Sequence, residues 1–176
     1  LRAVKTSDNA VIQTFSAFAL AVAVGGIQEK HSTRSTITAA HREGLIFKCH
    51  KGKWHFRRPI QANAFTWCVP LCRFFPAEAY ALVERFCTDL PRRCDFLFCE
   101  ANFQGVQIQG ATALKGTPMK QNTVLATLRQ VLEIYGTDLP PRPLPVLTIK
   151  CFRRLMPTLA EILDLPSRER LALGNW

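Results

Sequence analysis

The most apolar stretch of the chain, residues 15–24, is the feature that most constrains the fold. It is about half as long as the roughly 20 residues that a membrane-spanning helix needs. We therefore predict that it is a buried helix around which the rest of the chain packs. With 176 residues and 48% apolar residues, the chain suits one domain with one hydrophobic core, spanning residues 1–176, and no membrane partner is expected.

Further segments carry apolar residues at helical spacing or the signals that begin and end helices. The first helix is predicted to begin at a cap on Ser7 or Asp8 and to end at Gly25-Gly26. Residues 137–145 contain four prolines and predict an extended linker. The remaining helices are predicted at residues 76–86, 121–135 and 152–163, with a short last helix from Pro166 to Gly174.

Strand signals are concentrated in the first half of the chain. Residues 44–49 alternate in part, Lys51-Gly52-Lys53 predicts a turn, and residues 54–58 predict the returning strand of a hairpin. A third short strand is predicted at residues 66–69, whereas residues 27–42 and 102–116 are interpreted as a polar connector and a loop. The predicted fold class is α+β, mostly α, with a small antiparallel β-sheet.

The charge balance is strongly basic. The 23 Lys and Arg residues exceed the 13 Asp and Glu residues, which gives a net charge of +10. Such a surplus on one domain favours a polyanionic partner, because each neutralised phosphate releases counterions. The alternative is a basic protein that its charge simply keeps in solution.

The seven cysteines are an odd number and accompany no signal-peptide pattern. We expect most of them to be reduced and buried beside aromatic residues, as with Cys87 and Cys99, in a reducing, intracellular compartment. A zinc module built on the Cys68/Cys72 and Cys94/Cys99 pairs is a remote alternative, and no metal or other cofactor is expected.

Two basic clusters are candidate nucleic-acid contacts. One is the predicted hairpin at residues 50–58, where long cations at a tip could reach a phosphate backbone. The other opens a helix at Lys150, Arg153 and Arg154. Cations at a helix N-terminus are repelled by the positive end of the helix dipole, and a bound anion would offset that repulsion. This cluster therefore indicates a phosphate site more strongly than the hairpin does. Both clusters are also compatible with solvated surface residues.

The C-terminal sequence resembles tyrosine recombinases. Residues 150–159, KCFRRLMPTL, and residues 169–176, ERLALGNW, are similar to the second and third conserved boxes of that family. They are most similar to its divergent integrase-like members in protist genomes, whose helix reads His-Ser-x-Arg-Arg-x-x-Pro-Thr-Leu and ends in Gly-x-Trp. Lys51-Gly52-Lys53 with Arg57-Arg58-Pro59 resembles the β-hairpin lysine region, and residues 26–35 resemble the first box. The similarity runs in the family's order from about residue 10 onward.

The resemblance implies a helical, integrase-like catalytic core and cofactor-free phosphoryl transfer on DNA. In the family a tyrosine attacks the scissile phosphate, two arginines stabilise the transition state, and a hairpin lysine protonates the leaving oxygen. The resemblance assigns the hairpin lysine to Lys53 (or Lys51), the second-box arginine to Arg153, and the third-box tryptophan to Trp176. It puts Lys150 at the second-box histidine.

Two positions depart from the family. Gln28 stands at the first arginine, and Asn175 at a third-box histidine. The resemblance places the nucleophilic tyrosine beyond Trp176. The chain is thus expected to be a fragment that lacks the nucleophile helix and any N-terminal DNA-binding domain. Whether it is part of an active enzyme stays open. Predicted DNA contacts are Lys51, Arg57, Arg58, Arg154, His31, Arg34 and Asn175.

The expected partner is double-stranded DNA, with a homo-oligomer assembled on it and no small-molecule substrate. If the source is eukaryotic, a nuclear location is expected. The alternative function is a non-catalytic basic domain that binds nucleic acid or another partner. Tyr80 and Tyr135, the two tyrosines of the sequence, occupy apolar helix positions and are interpreted as core residues.

Overall fold

The computed structural model describes residues 1–33, 35–50, 64–89, 96–137, 148 and 150–169. These residues form a mixed α+β fold with more helical than strand residues, as predicted. The helices of this part of the chain are α1 (Arg2–Thr6), α2 (Ala10–Val24), α3 (Glu29–Ser32), α4 (Ala77–Asp89), α5 (Gln121–Tyr135) and α6 (Lys150–Ile162). The strands are β1 (Ser35–His41), β2 (Gly44–Cys49), β3 (Phe65–Pro70), β4 (Cys99–Phe103) and β5 (Ala111–Pro118).

Helix α2 is the centre of the core, as the apolar stretch predicted. It contacts helices α1, α4, α5 and α6 and strands β3 and β5, and most of its side chains are buried. Its N-terminal cap is Asn9, whose Oδ1 accepts hydrogen bonds from Val11 N and Ile12 N at 2.9 and 3.2 Å. The predicted cap on Ser7 or Asp8 was therefore wrong. The helix ends as predicted, where Gly26 adopts a φ of 61° that a side chain would disfavour.

The first sheet has the strand order β1-β2-β3 and is antiparallel throughout. Strands β2 and β3 confirm the predictions at residues 44–49 and 66–69. Strand β1 was missed, because its threonines were interpreted as a polar connector, although β-branched residues favour strands. In the structure the partners of β2 are β1 on one edge and β3 on the other. Residues 51–63, which include the predicted returning strand, lie outside the described residues.

A second antiparallel pair, β4 and β5, replaces the loop that was predicted at residues 102–116. Two glycines of this segment, Gly105 and Gly110, belong to the connection between the strands, and Gly116 lies within β5. Gly105 has a φ of 88°, and a Cβ on Gly110 would lie 2.2 Å from the Gln104 carbonyl oxygen. A glycine-rich pattern that suggested irregular structure is thus a compact turn between two strands.

Three later helices confirm the apolar patterns that predicted them. Residues 121–135 form α5 with the predicted bounds, and α4 begins directly after Pro76. Helix α6 accommodates Pro157 in its interior. Residues 138–145 of the predicted linker lie outside the described residues, and the predicted last helix is described only as far as residue 169.

The cysteines differ from the prediction in two respects, the oxidation of one residue and the exposure of two others. Cys99 is disulfide-bonded rather than reduced. The thiols of Cys68, Cys72 and Cys151 are free, and Cys68 and Cys151 are exposed rather than buried. In the part of the chain that the structure describes, no helix combines the length and the apolar character that crossing a bilayer requires.

Candidate nucleic-acid interface

One end of the first sheet brings together two of the segments that the sequence singled out. Ser35, Cys49 and Phe65 pair across the three strands and form the last rung of the sheet, here called the Ser35 end. The first-box segment, residues 26–35, enters the sheet at this rung. Strand β2 leaves the sheet at Cys49 and β3 enters it at Phe65, so the connection between them starts and finishes at the same end. That connection contains the predicted contacts Lys51, Lys53, Arg57 and Arg58, whose structure lies outside the described residues.

Buried hydrogen bonds attach the first-box segment to this end of the sheet. Trp67 Nε1 donates to Ser35 Oγ at 3.0 Å, and Ser35 Oγ donates to the His31 carbonyl oxygen at 2.8 Å. Each polar group in this chain of bonds is satisfied, as buried polar groups require. The Gln28 carbonyl oxygen accepts from His31 N and Ser32 N at 2.8 and 3.0 Å, and these two bonds close the single turn of the short helix α3.

His31, a predicted DNA contact, is a buried residue. Its side chain is 8% exposed, and its ring meets the ring of Phe65 edge to face with centroids 5.5 Å apart. Gln28, at the position of the family's first arginine, is half-buried. Arg34, the other predicted contact in this segment, lies outside the described residues.

Two further basic residues, Lys48 and His50, lie next to Cys49 at the Ser35 end, and the structure describes both. Both side chains are exposed, and His50 Nε2 lies 2.8 Å from Thr36 Oγ1 in a hydrogen bond. Lys48 was not among the predicted contacts. The alternation within β2 could have identified it, since Leu45, Phe47 and Cys49 are buried and Lys48 lies on the opposite face.

Helix α6 carries the second basic cluster. Lys150 and Arg154 are exposed and one helical turn apart, so they lie on the same face of α6. No acidic residue lies in the first turn to complement the helix dipole. Phe152 packs against the main core and Ala160 is buried, which fixes the opposite face of the helix against α2. The Arg153 side chain, Asn175 and Trp176 lie outside the described residues.

Tyr80 is hydrogen-bonded at the end of the sheet opposite the Ser35 end. The Tyr80 hydroxyl donates a hydrogen bond of 2.7 Å to the His41 carbonyl oxygen, at the opposite end of β1. Burial, and secondarily the charge of Glu84, raises the pKa of Tyr80 above its ordinary value of 10.0. Since β1 has seven residues, His41 lies about 20 Å from Ser35 along the strand. Tyr135 is half-buried at the end of α5.

Within the described ranges no three His, Cys, Asp or Glu side chains are grouped as metal ligands would be. No protein-family model matches the chain, and no curated protein matches its sequence.

Proposed function

We propose that the chain is the DNA-binding core of a tyrosine recombinase, in a degenerate or incomplete form. The observation that carries the proposal is the meeting of two segments at the Ser35 end of the sheet. These are the first-box segment, residues 26–35, and both termini of the connection that contains Lys51 and Lys53. In the resemblance these two segments supply groups that act on the same phosphate.

The charge distribution supports duplex DNA as the partner. The net charge is +10, and the connection from His50 to Ala64 contains four Lys and Arg residues and no Asp or Glu. A cluster of this kind, on a segment that starts and finishes at one rung of the sheet, suits a phosphate backbone. The exposed Lys150 and Arg154 of α6 add a second cationic surface.

Residue chemistry argues for binding without strand cleavage by these residues. Gln28, where the family has an arginine, offers a neutral amide in place of a guanidinium fork. A neutral donor makes weaker hydrogen bonds to an anionic phosphate and adds no charge to the transition state. Tyr80 is hydrogen-bonded at the far end of the sheet from the proposed phosphate site.

A photocrosslinking experiment tests where DNA lies on the sheet. A photoreactive amino acid replaces His50 at the Ser35 end in one variant and Glu43 at the opposite end in the other; both positions are exposed. Each variant is irradiated with labelled duplex DNA in low salt. We expect a crosslinked product from the His50 position and little from Glu43. Equal or stronger crosslinking from Glu43 would contradict the proposed orientation.

A further inference from the structure

The outward face of the first sheet is a second surface without a partner in the described part of the chain. Strands β1, β2 and β3 contain no Asp or Glu. Their inward side chains, which include Leu45, Phe47 and Val69, are fully buried in the core. The side chains between them point away from the core and leave polar atoms exposed to solvent.

Three of these outward residues form a row across the strands. Lys48 of β2 pairs with Thr36 of β1 on one side and with Thr66 of β3 on the other. Adjacent strands lie about 4.8 Å apart, so the row spans roughly 10 Å, with the lysine on the strand between the two threonines. Lys48 and Thr66 are exposed. Among the described residues, no carboxylate forms an ion pair with Lys48.

The row adjoins the Ser35 end of the sheet. His50, two residues after Lys48, makes its hydrogen bond to the Thr36 hydroxyl at 2.8 Å and begins the cationic connection. A cation, flanking hydroxyls and no acid provide the donors that a phosphate diester recognises, and phosphate contacts of this kind come from Lys and Thr side chains in protein–DNA complexes. Charge and hydrogen-bonding capacity therefore both favour a polyanion on this face.

From this juxtaposition we infer that the Thr36–Lys48–Thr66 row binds the sugar-phosphate backbone of duplex DNA. The inference rests on the proposed function and extends the interface from the β2–β3 connection onto the face of the sheet. Lys48 supplies the positive charge, and Thr66 donates a hydrogen bond to a phosphate oxygen. At the other end of the row, Thr36 is hydrogen-bonded to His50.

The experiment measures duplex DNA affinity against salt concentration for matched variants. Lys48→Gln and Thr66→Val change the row, while Lys115→Gln and Thr117→Val make the same changes at exposed positions on β5. Removing one phosphate-neutralising cation lowers the slope of log affinity against log salt by about one. We expect this from Lys48→Gln. For Thr66→Val we expect an affinity loss of about 2- to 10-fold with the slope unchanged, because a neutral hydrogen bond is lost. Thermal melting of each variant shows that it is folded.

The outcomes separate the inference from the proposed function. If the unmodified chain binds duplex DNA with a clear salt dependence and Lys48→Gln leaves affinity and slope unchanged, the inference is wrong and the proposed function stands. An equal loss of slope from Lys115→Gln also overturns the inference, because the contact would then not be localised to the row. If the unmodified chain shows no salt-dependent binding, both are wrong.

Discussion

The indole nitrogen of Trp67 donates a hydrogen bond of 3.0 Å to the hydroxyl of Ser35, and both side chains are buried. This bond joins the third strand of the sheet to the first residue of β1. The Ser35 hydroxyl in turn donates a hydrogen bond to the His31 carbonyl oxygen, which links the first-box segment to the sheet. The residues that position the first-box segment beside the sheet are therefore polar groups within the core.

We expect Ser35→Ala to destabilise the fold. The substitution removes the hydroxyl that accepts from the buried Trp67 indole N–H and donates to the His31 carbonyl oxygen, and a buried group left unsatisfied costs about 1–3 kcal/mol. Chemical denaturation followed by fluorescence measures the change. Thr38→Ala is the matched control, because it removes an exposed hydroxyl that donates to the Ile46 carbonyl oxygen at 3.2 Å. If Thr38→Ala lowers the free energy of unfolding as much as Ser35→Ala does, the buried hydrogen bonds contribute no more than an exposed one.

Gly25→Ala tests the contact between α2 and the sheet. Gly25 has right-handed helical dihedral angles, so alanine is acceptable to the backbone. Its Cβ would nevertheless lie 2.6 Å from the Trp67 ring. We expect a loss of about 1–3 kcal/mol from this overpacking. In a Trp67→Leu background the same substitution should cost less, since the smaller side chain leaves room. Equal costs in the two backgrounds would contradict a direct clash.

The sequence predicted the helices, whose apolar residues repeat at a regular spacing, and missed strands whose position depends on pairing with distant residues. Helix α5 repeats apolar residues so regularly that its predicted bounds match the structure. Strand β1 has no such signal, because only Ser35 at its start is buried and the following residues are half-buried or exposed. The pairing of β2 with β1 and β3 was not predicted either. Local sequence favours the nearest strand-like segment, while the register with β3 depends on burying Phe47 against Trp67, whose rings stack at 4.3 Å.

Among the candidate site residues too, the sequence identified those with a local signal and missed features that depend on distant contacts. The sequence identified the basic segments through their composition, and it marked Lys150 and Arg154, which are exposed as a DNA contact requires. It could not identify His31 as a buried residue, because its burial comes from Phe65, more than thirty positions away. Lys48 was overlooked because the alternation within β2 shows that it faces outward but does not show which residues lie beside it on neighbouring strands. Its position becomes informative only when β1 and β3 flank it.

Tyr80 should make the fold sensitive to alkaline pH. Its folded-state pKa is raised above 10.0, first by burial and then by Glu84. The folded state therefore favours the neutral phenol. The contribution of this preference to the free energy of unfolding is fully present below pH 10.0, the ordinary pKa, and is lost as the pH rises through the higher pKa of the folded state. Unfolding midpoints measured across this range should fall less steeply for Tyr80→Phe than for the unmodified chain. Tyr135→Phe is the comparison, and parallel curves for all three proteins would refute the assignment.

No covalent protein–DNA adduct is expected from this chain. Tyr80 lies at the far end of the sheet, and Gln28 offers no guanidinium to the phosphate. The assay incubates the chain with a labelled, nicked duplex that traps a phosphotyrosyl intermediate, followed by a denaturing gel. Gln28→Arg alone should also give no adduct, because it restores a phosphate ligand without a nucleophile. A labelled adduct that disappears in Tyr135→Phe would contradict this prediction and identify Tyr135 as the nucleophile.

The most direct test of the central proposal is the affinity of the chain for duplex DNA as salt increases from about 50 to 200 mM, the range in which phosphate contacts weaken steeply. For a chain of net charge +10, we predict that log affinity falls linearly with log salt, with a slope on the order of several released counterions. Lys53→Ala and Arg153→Ala should each reduce that slope by about one. An affinity that stays constant over this range would contradict the proposal that the chain is a DNA-binding core.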